Sequence, residues 1–207
     1  MIYTLYYVHD PMCSWCYAFK PTLDNLKKHL NSNIKVINVV GGLAAHSDEI
    51  MPKDMQEKIE NIWYEIEENT GAKFNHDFWK NCQPRRSTYL ACGATILARY
   101  ENKEDEMINA IQEAYYLKAL NPSDASILVN LAKQIGMDEK KFEEDLKSQK
   151  IEEDLQNELN FRRSLNVRSF PSLILKYKKE LYPINIKYND YKSMLTQITN
   201  MTENTYF

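Results

Sequence analysis

Cys13-Ser14-Trp15-Cys16 is the stretch of this 207-residue chain whose residue types and spacing suit covalent chemistry. Two cysteines separated by two residues can close and reopen a small disulfide. The apolar run Ile2 to His9 predicts a strand just before the pair. From Cys16 onward, Phe19, Leu23, Leu26 and Leu30 recur at a spacing that marks one helix face. The first cysteine therefore stands at a helix start, where unpaired backbone N–H groups and the positive end of the helix dipole favour a thiolate. Thiolate, not thiol, is the attacking species in disulfide exchange. A C-x-x-C beside a β-α-β unit reads as a redox motif. The competing reading is half a zinc site. Zinc needs four ligands, and neither Cys82 with Cys92 nor His29 with His46 and His76 offers a second pair at the usual spacing.

The elements that must hold the motif follow from periodicity. Ile2, Thr4, Tyr6 and Val8 alternate with Tyr3, Leu5, Tyr7 and His9, so both faces of the first strand are covered, as in a central strand. Asp10-Pro11 ends it, and Pro21 is expected to kink the helix that follows. Ile34 to Val40 predicts a second strand, giving β-α-β, and Gly41-Gly42 breaks the pattern. Helical periodicity then rules to Asn166. Met55, Ile59, Ile62 and Ile66 form one stripe, with Pro52 near its start and Gly71 beyond its end. Ser87 to Tyr100 is small or apolar nearly all round, as a buried helix is, and further helices are expected at 104–120, 124–135, 138–148 and 151–165. After Arg168 the strand pattern returns as a hairpin turning at Lys178-Lys179, and Tyr191, Met194, Leu195 and Ile198 mark a last helix. The order β-α-β, then β-β-α, is an α/β thioredoxin fold interrupted by a large all-helical insertion. Residues 1–44 and 166–207 form the thioredoxin-like domain, and residues 45–165 the inserted one.

Composition narrows the function. Lys plus Arg number 26 against 29 acidic residues, a net charge of −3, so there is no basic surplus for a nucleic-acid phosphate backbone. No run approaches the ~18 apolar residues of a membrane span. Met1 to Asp10 lacks the charged start and cleavage site of a secretory signal, and the expectation is a cytoplasmic protein. Four cysteines are too few for a secreted disulfide scaffold.

Three segments, in order and spacing, resemble the cytoplasmic DsbA-like family of thiol-disulfide oxidoreductases, a group close to the FrnE-like proteins. They are Asp10-Pro11-Met12-Cys13-Ser14-Trp15-Cys16-Tyr17, Gly41-Gly42-Leu43, and Val167-Arg168-Ser169-Phe170-Pro171-Ser172-Leu173. The resemblance covers nearly the whole chain. It implies a cis Phe170-Pro171 peptide facing the cysteines, with Pro171 in the catalytic centre and Phe170 presenting backbone to an extended substrate. It implies disulfide exchange or isomerisation with protein substrates, Cys13 attacking and Cys16 resolving. No bound cofactor is implied; glutathione or a thioredoxin-type reductant would be co-substrate. The sequence departs from the family where Ser169 replaces a common Gly and Arg85-Arg86-Ser87 replaces an Ala-Cys-Arg run. Ser14-Trp15 also lacks the histidine that makes DsbA strongly oxidising, so a milder couple is expected. Two rival readings are a glutathione-dependent transferase or isomerase of the same fold, and a non-enzymatic redox-sensing adaptor. The first is disfavoured because those relatives usually carry Ser in place of the first cysteine.

The remaining residues divide as follows. Trp15, on an exposed first turn, is expected to contact substrate, and Cys13 to have the exposed sulfur with Cys16 shielded. Cys92 belongs to a buried helix, which at ~1.5 Å per residue sets it ~9 Å or more beyond Cys82, too far for a disulfide. Asp10 is either a proton relay or a turn-former. Tyr17 reads as structural, Arg162 and Arg163 as a solvated helix face, and His9 as a satisfied interior histidine.

Overall fold

The computed structural model describes residues 3–203; Ile2, which the sequence assigns to the first strand, lies outside them. Four strands form one sheet in the order β2-β1-β3-β4, with β1 at Tyr3–His9, β2 at Ile34–Val40, β3 at Ser172–Tyr177 and β4 at Glu180–Ile184. β1 runs parallel to β2 and antiparallel to β3, with Tyr7 opposite both Asn38 and Leu173. Parallel β1 and β2 need a crossover, and α1 (Ser14–His29) supplies it. Pro21 lies inside α1, which continues through it.

The two-residue period of β1 divides the core. Tyr3, Leu5 and Tyr7 meet Phe19, Leu23 and Leu26 of α1 and Met194 and Ile198 of α9 (Tyr191–Glu203) on one face. Tyr6 and Val8 meet Val39, Leu165, Val167 and Ile174 on the other. Burial on both faces is what the double alternation of apolar residues requires.

Between β2 and β3 come seven helices among the described residues: α2 (Lys53–Thr70), α3 (Phe78–Asn81), α4 (Tyr89–Tyr100), α5 (Glu104–Tyr116), α6 (Ala125–Gln134), α7 (Glu139–Leu146) and α8 (Gln149–Ser164). Their own core is centred on Trp63, with Phe74, Phe78, Tyr115 and Tyr116 packed round its ring. The short α3 has no periodicity to betray it, and its Phe78 and Trp79 are buried against Trp63. α4 is buried nearly all round, as its composition predicts. Arg99 of α4 ties the insertion to the sheet edge: it pairs with Glu104 at 2.7 Å and with Glu158 of α8, whose other oxygen accepts from Val40 N at 2.7 Å. The helices thereby hold the end of β2, from which the chain enters Gly41-Gly42. None of the described helices is long and apolar enough to cross a membrane.

Candidate active site

Cys13 is the N-cap residue of α1, and its backbone N–H donates to Asp10 O at 3.0 Å. Ser, Thr, Asp and Asn usually cap helices because a side-chain oxygen accepts from the first free N–H groups. Here sulfur does so: Cys16 N donates to Cys13 Sγ at 3.4 Å. A negative charge on that sulfur would face an amide and the positive helix end. Cys16 lies one turn inside, wholly buried among Phe19 and Leu23 of the same face. Burial pushes its thiol well above the usual cysteine range, and the neighbouring Cys13 adds to the shift. The pair is thus unequal, with one sulfur at the helix mouth and one behind it.

The sequence predicts an exposed Cys13 sulfur, and the structure corrects this. Cys13 is only 6% exposed and is reached through a cleft of about 370 Å³, whose floor and walls include Met51, Ile59, Ile62, Trp63 and Tyr115. Ile59 and Ile62 belong to the helical stripe read from the sequence; both are half-buried and face this cleft. Trp15 is also less free than its position suggests. It lines the cleft, but its ring rests on Tyr188 at 4.9 Å.

The Phe170–Pro171 peptide is cis, and Phe170 O lies 3.7 Å from Cys13 Sγ. Three of the five site residues named from the sequence, Cys13, Cys16 and Phe170, therefore meet at one point. Trp15 stands on the adjoining wall, and Pro171 follows Phe170 in the chain. The Phe170 ring is not a free substrate contact. It packs toward the core under α8, with Arg162 5.8 Å above it. Arg162 thus departs from its reading as a solvated residue: its Nη1 donates to Gly41 O at 2.9 Å. Arg163 is exposed, as expected.

Asp10 sits under the cysteines, wholly buried, with four donors directed at it. Met12 N and Leu43 N are at 2.8 and 2.6 Å, Thr88 Oγ1 at 2.7 Å, and Cys92 Sγ at 3.5 Å. Burial raises its pKa, and the donors, led by Leu43 N, oppose the rise. The role of Asp10 in joining three segments around the site was not apparent from its place in the sequence, because Leu43, Thr88 and Cys92 are distant along the chain. Burial also pushes the Cys92 thiol well above the ordinary cysteine range, with the Asp10 carboxylate next in effect. Cys82 Sγ instead donates to Ala119 O at 3.1 Å, at a separate place. His9 is interior but not satisfied: neither ring nitrogen has a hydrogen-bond partner among the described residues, and its ring stacks on Tyr7 at 4.9 Å. Tyr17 is structural, stacked on Tyr116 at 4.5 Å. Among the described residues, no group of three or more His, Cys, Asp or Glu side chains is placed to hold a metal.

With this geometry established, comparison with known proteins gives a direct answer. A family model described as thioredoxin matches residues 6–197. The chain belongs to this thioredoxin family. Among solved structures, its fold is similar to a Nitrosomonas europaea protein regarded as a candidate protein disulfide isomerase, with a TM-score of 0.84 at 23% identity over 100% of both chains. It is also similar to the cytosolic disulfide reductase DsbM of Pseudomonas aeruginosa, with a TM-score of 0.77 at 18% identity over 97% of this chain and 99% of that one. DsbM has also been solved with GSH. These likenesses show the thioredoxin-like fold with DsbA-like neighbours. Among curated proteins, the ClpXP adapter protein SpxH of Halalkalibacterium halodurans is 23% identical over 176 residues, 82% of this chain. This thioredoxin-family chain spans only 57% of that relative's length.

Proposed function

We propose that this chain is a thiol-disulfide oxidoreductase for protein substrates, with Cys13 attacking and Cys16 resolving. The observation that carries the reading is the asymmetry of the pair: Cys13 Sγ caps a helix at the end of an open cleft, while Cys16 is sealed behind it. In the first step, Cys13 thiolate attacks one sulfur of a substrate disulfide. The substrate S–S bond breaks, a mixed disulfide forms, and the other substrate sulfur leaves as a thiolate. Cys16 then loses its proton and attacks Cys13 Sγ, closing Cys13–Cys16 and releasing the second substrate thiol. Two electrons pass to the substrate, and a small-thiol reductant such as glutathione, or a dithiol protein, returns them in the reverse exchange. Phe170 O, beside Cys13 Sγ, gives an extended substrate segment a backbone acceptor, as in strand-addition binding.

The test is trapping. Cys16→Ala should accumulate covalent complexes with a reduced-and-reoxidised client such as insulin, because nothing resolves the mixed disulfide. Cys13→Ala should accumulate none, and both variants should lose insulin-reducing turnover. Trapping confined to Cys13→Ala, or full activity in either variant, would overturn the assignment. The names of the curated relatives favour one rival, a non-enzymatic adaptor that holds a client. An adaptor would give no insulin reduction with dithiothreitol, whereas the oxidoreductase turns over.

A further inference from the structure

The chain as a whole carries more acidic than basic residues, yet every charged side chain lining the Cys13 cleft is an arginine: Arg85, Arg86 and Arg168. The three do not have equal standing. Arg85 is paired with Asp124. Arg86 and Arg168 are exposed, and neither has a hydrogen-bond or ion-pair partner among the described residues. They enter the cleft from different parts of the chain. Arg168 lies two residues before Phe170, whose carbonyl touches Cys13 Sγ.

Arg86 stands on a segment held firmly from several sides. Asn121 Nδ2 donates to Gln83 O at 3.1 Å, Met51 N to Pro84 O at 2.8 Å, and Ser123 Oγ to Ser87 O at 2.8 Å. The backbone carrying the charge is therefore fixed, and the guanidinium is left for something outside the chain. Below it the cleft is apolar, with Ile59, Ile62 and Met51 exposing hydrocarbon to whatever enters.

We infer that the cleft selects client segments in which the reacting cysteine is flanked by carboxylates and an apolar side chain. The apolar side chain would enter toward Ile59 and Ile62, and the carboxylates would meet Arg86 and Arg168. Guanidinium groups match carboxylates in charge and in forked geometry. Like charges on a basic client would be repelled from the same rim, so the device rejects as well as attracts. This inference rests on the oxidoreductase reading above.

The experiment compares three mixed-disulfide peptides of one length, sharing a Leu beside the cysteine and flanked by Glu, Gln or Lys. Each is followed by kcat/KM at low and at high salt. Two exposed charge pairs contribute ~0.2 to 1 kcal/mol each, so the Glu peptide should exceed the Gln peptide by roughly two- to thirtyfold, and the Lys peptide should fall below it. The Glu preference should shrink as salt rises. In an Arg86→Ser, Arg168→Ser double variant the Glu-to-Gln ratio should approach one. A ratio near one in the unaltered protein, or one that the double variant leaves intact, overturns the inference. Glutathione disulfide forms a further arm: if the double variant slows that small anionic disulfide alone and leaves the peptide ratio unmoved, the rim serves the reductant and the inference fails. No exchange with any peptide in the unaltered protein would instead defeat the oxidoreductase reading itself.

Discussion

The ring of Phe170 lies directly on Gly41, and a Cβ built on Gly41 would overlap that ring. Gly41 N donates to His9 O at 2.5 Å, so the glycine cannot withdraw without breaking the end of the β1–β2 pairing. A side chain there must displace the ring, and the carbonyl of the same residue is the one that faces Cys13. Gly41→Ala should cost ~1 to 3 kcal/mol, as overpacking does, and should slow insulin reduction. In a Phe170→Leu background the same change should cost less. Urea unfolding of the four proteins in this cycle measures the coupling, and an equal cost in both backgrounds would remove the steric account.

Asp10→Asn should destabilise the fold by ~1 to 3 kcal/mol. Met12 N and Leu43 N donate to opposite carboxylate oxygens, and an amide offers one acceptor and turns two donors toward the other N–H. The pH dependence has a definite sign. Burial raises the carboxyl pKa in the fold, so stability is lost as pH rises through that value. Asn does not ionise, so the variant should lack this fall in stability as pH rises above the ordinary carboxylate range. Denaturation midpoints followed across pH in both proteins decide it.

His9 should govern part of the acid lability. Burial, with the cations of Lys27 and Arg99 next, pulls its pKa from 6.5 down to about 3. Below pH 6.5 the unfolded chain takes up a proton that the fold refuses. Stability should then fall as pH drops from about 6.5 to about 3, by ~2 kcal/mol from this group at pH 5. His9→Phe keeps an aromatic ring against Tyr7 and should flatten that slope. A pH 7 to pH 5 loss identical in both proteins would exclude His9 as the cause.

Cys16 and Cys92 should resist alkylation in the folded, reduced protein at pH 7.5 and react once it is unfolded. Both are wholly buried, and burial raises both thiols well above the ordinary range. Mass spectrometry after a short iodoacetamide pulse would show which sites are modified. A Cys82→Ser, Cys92→Ala double variant should keep most of its insulin-reducing activity, since Cys82 bonds Ala119 O and Cys92 bonds Asp10 rather than either sulfur of the pair.

The architecture was readable where burial is periodic. β1 alternates apolar residues on both faces because α1 and α9 cover one face and α8 with its following segment the other. The long helices of the insertion each bury one stripe or, in α4, nearly the whole surface. The cysteine motif was visible because its spacing is local. What stayed hidden depends on contacts between distant segments. The Ile59–Ile62 stripe has the same pattern whether it faces a core or a cleft. Arg162 looks like any cation in a last helical turn, and only the fold brings Gly41 O beneath it. His9 reads as an interior residue from its strand, but strand periodicity carries no information about whether a partner faces its nitrogens. Arg86 and Arg168 are 82 positions apart, and nothing in either neighbourhood announces that they share a rim.

The position of β3 in the sheet also sets an order of assembly. β1 pairs on one side with β2, which follows it closely, and on the other with β3, whose first residue is Ser172. As the chain leaves the ribosome, β1, α1 and β2 emerge together, but one hydrogen-bonded neighbour of the central strand does not yet exist. The carbonyl of Phe170 and the guanidinium of Arg168 arrive with that late segment. Contacts between such distant parts form slowly, because the closure entropy of a long loop precedes any gain from pairing. Cys13 and Cys16 are therefore synthesised more than a hundred and fifty residues before the segment that completes their surroundings. During that interval the pair lacks the Phe170 carbonyl and the Arg168 side of its cleft.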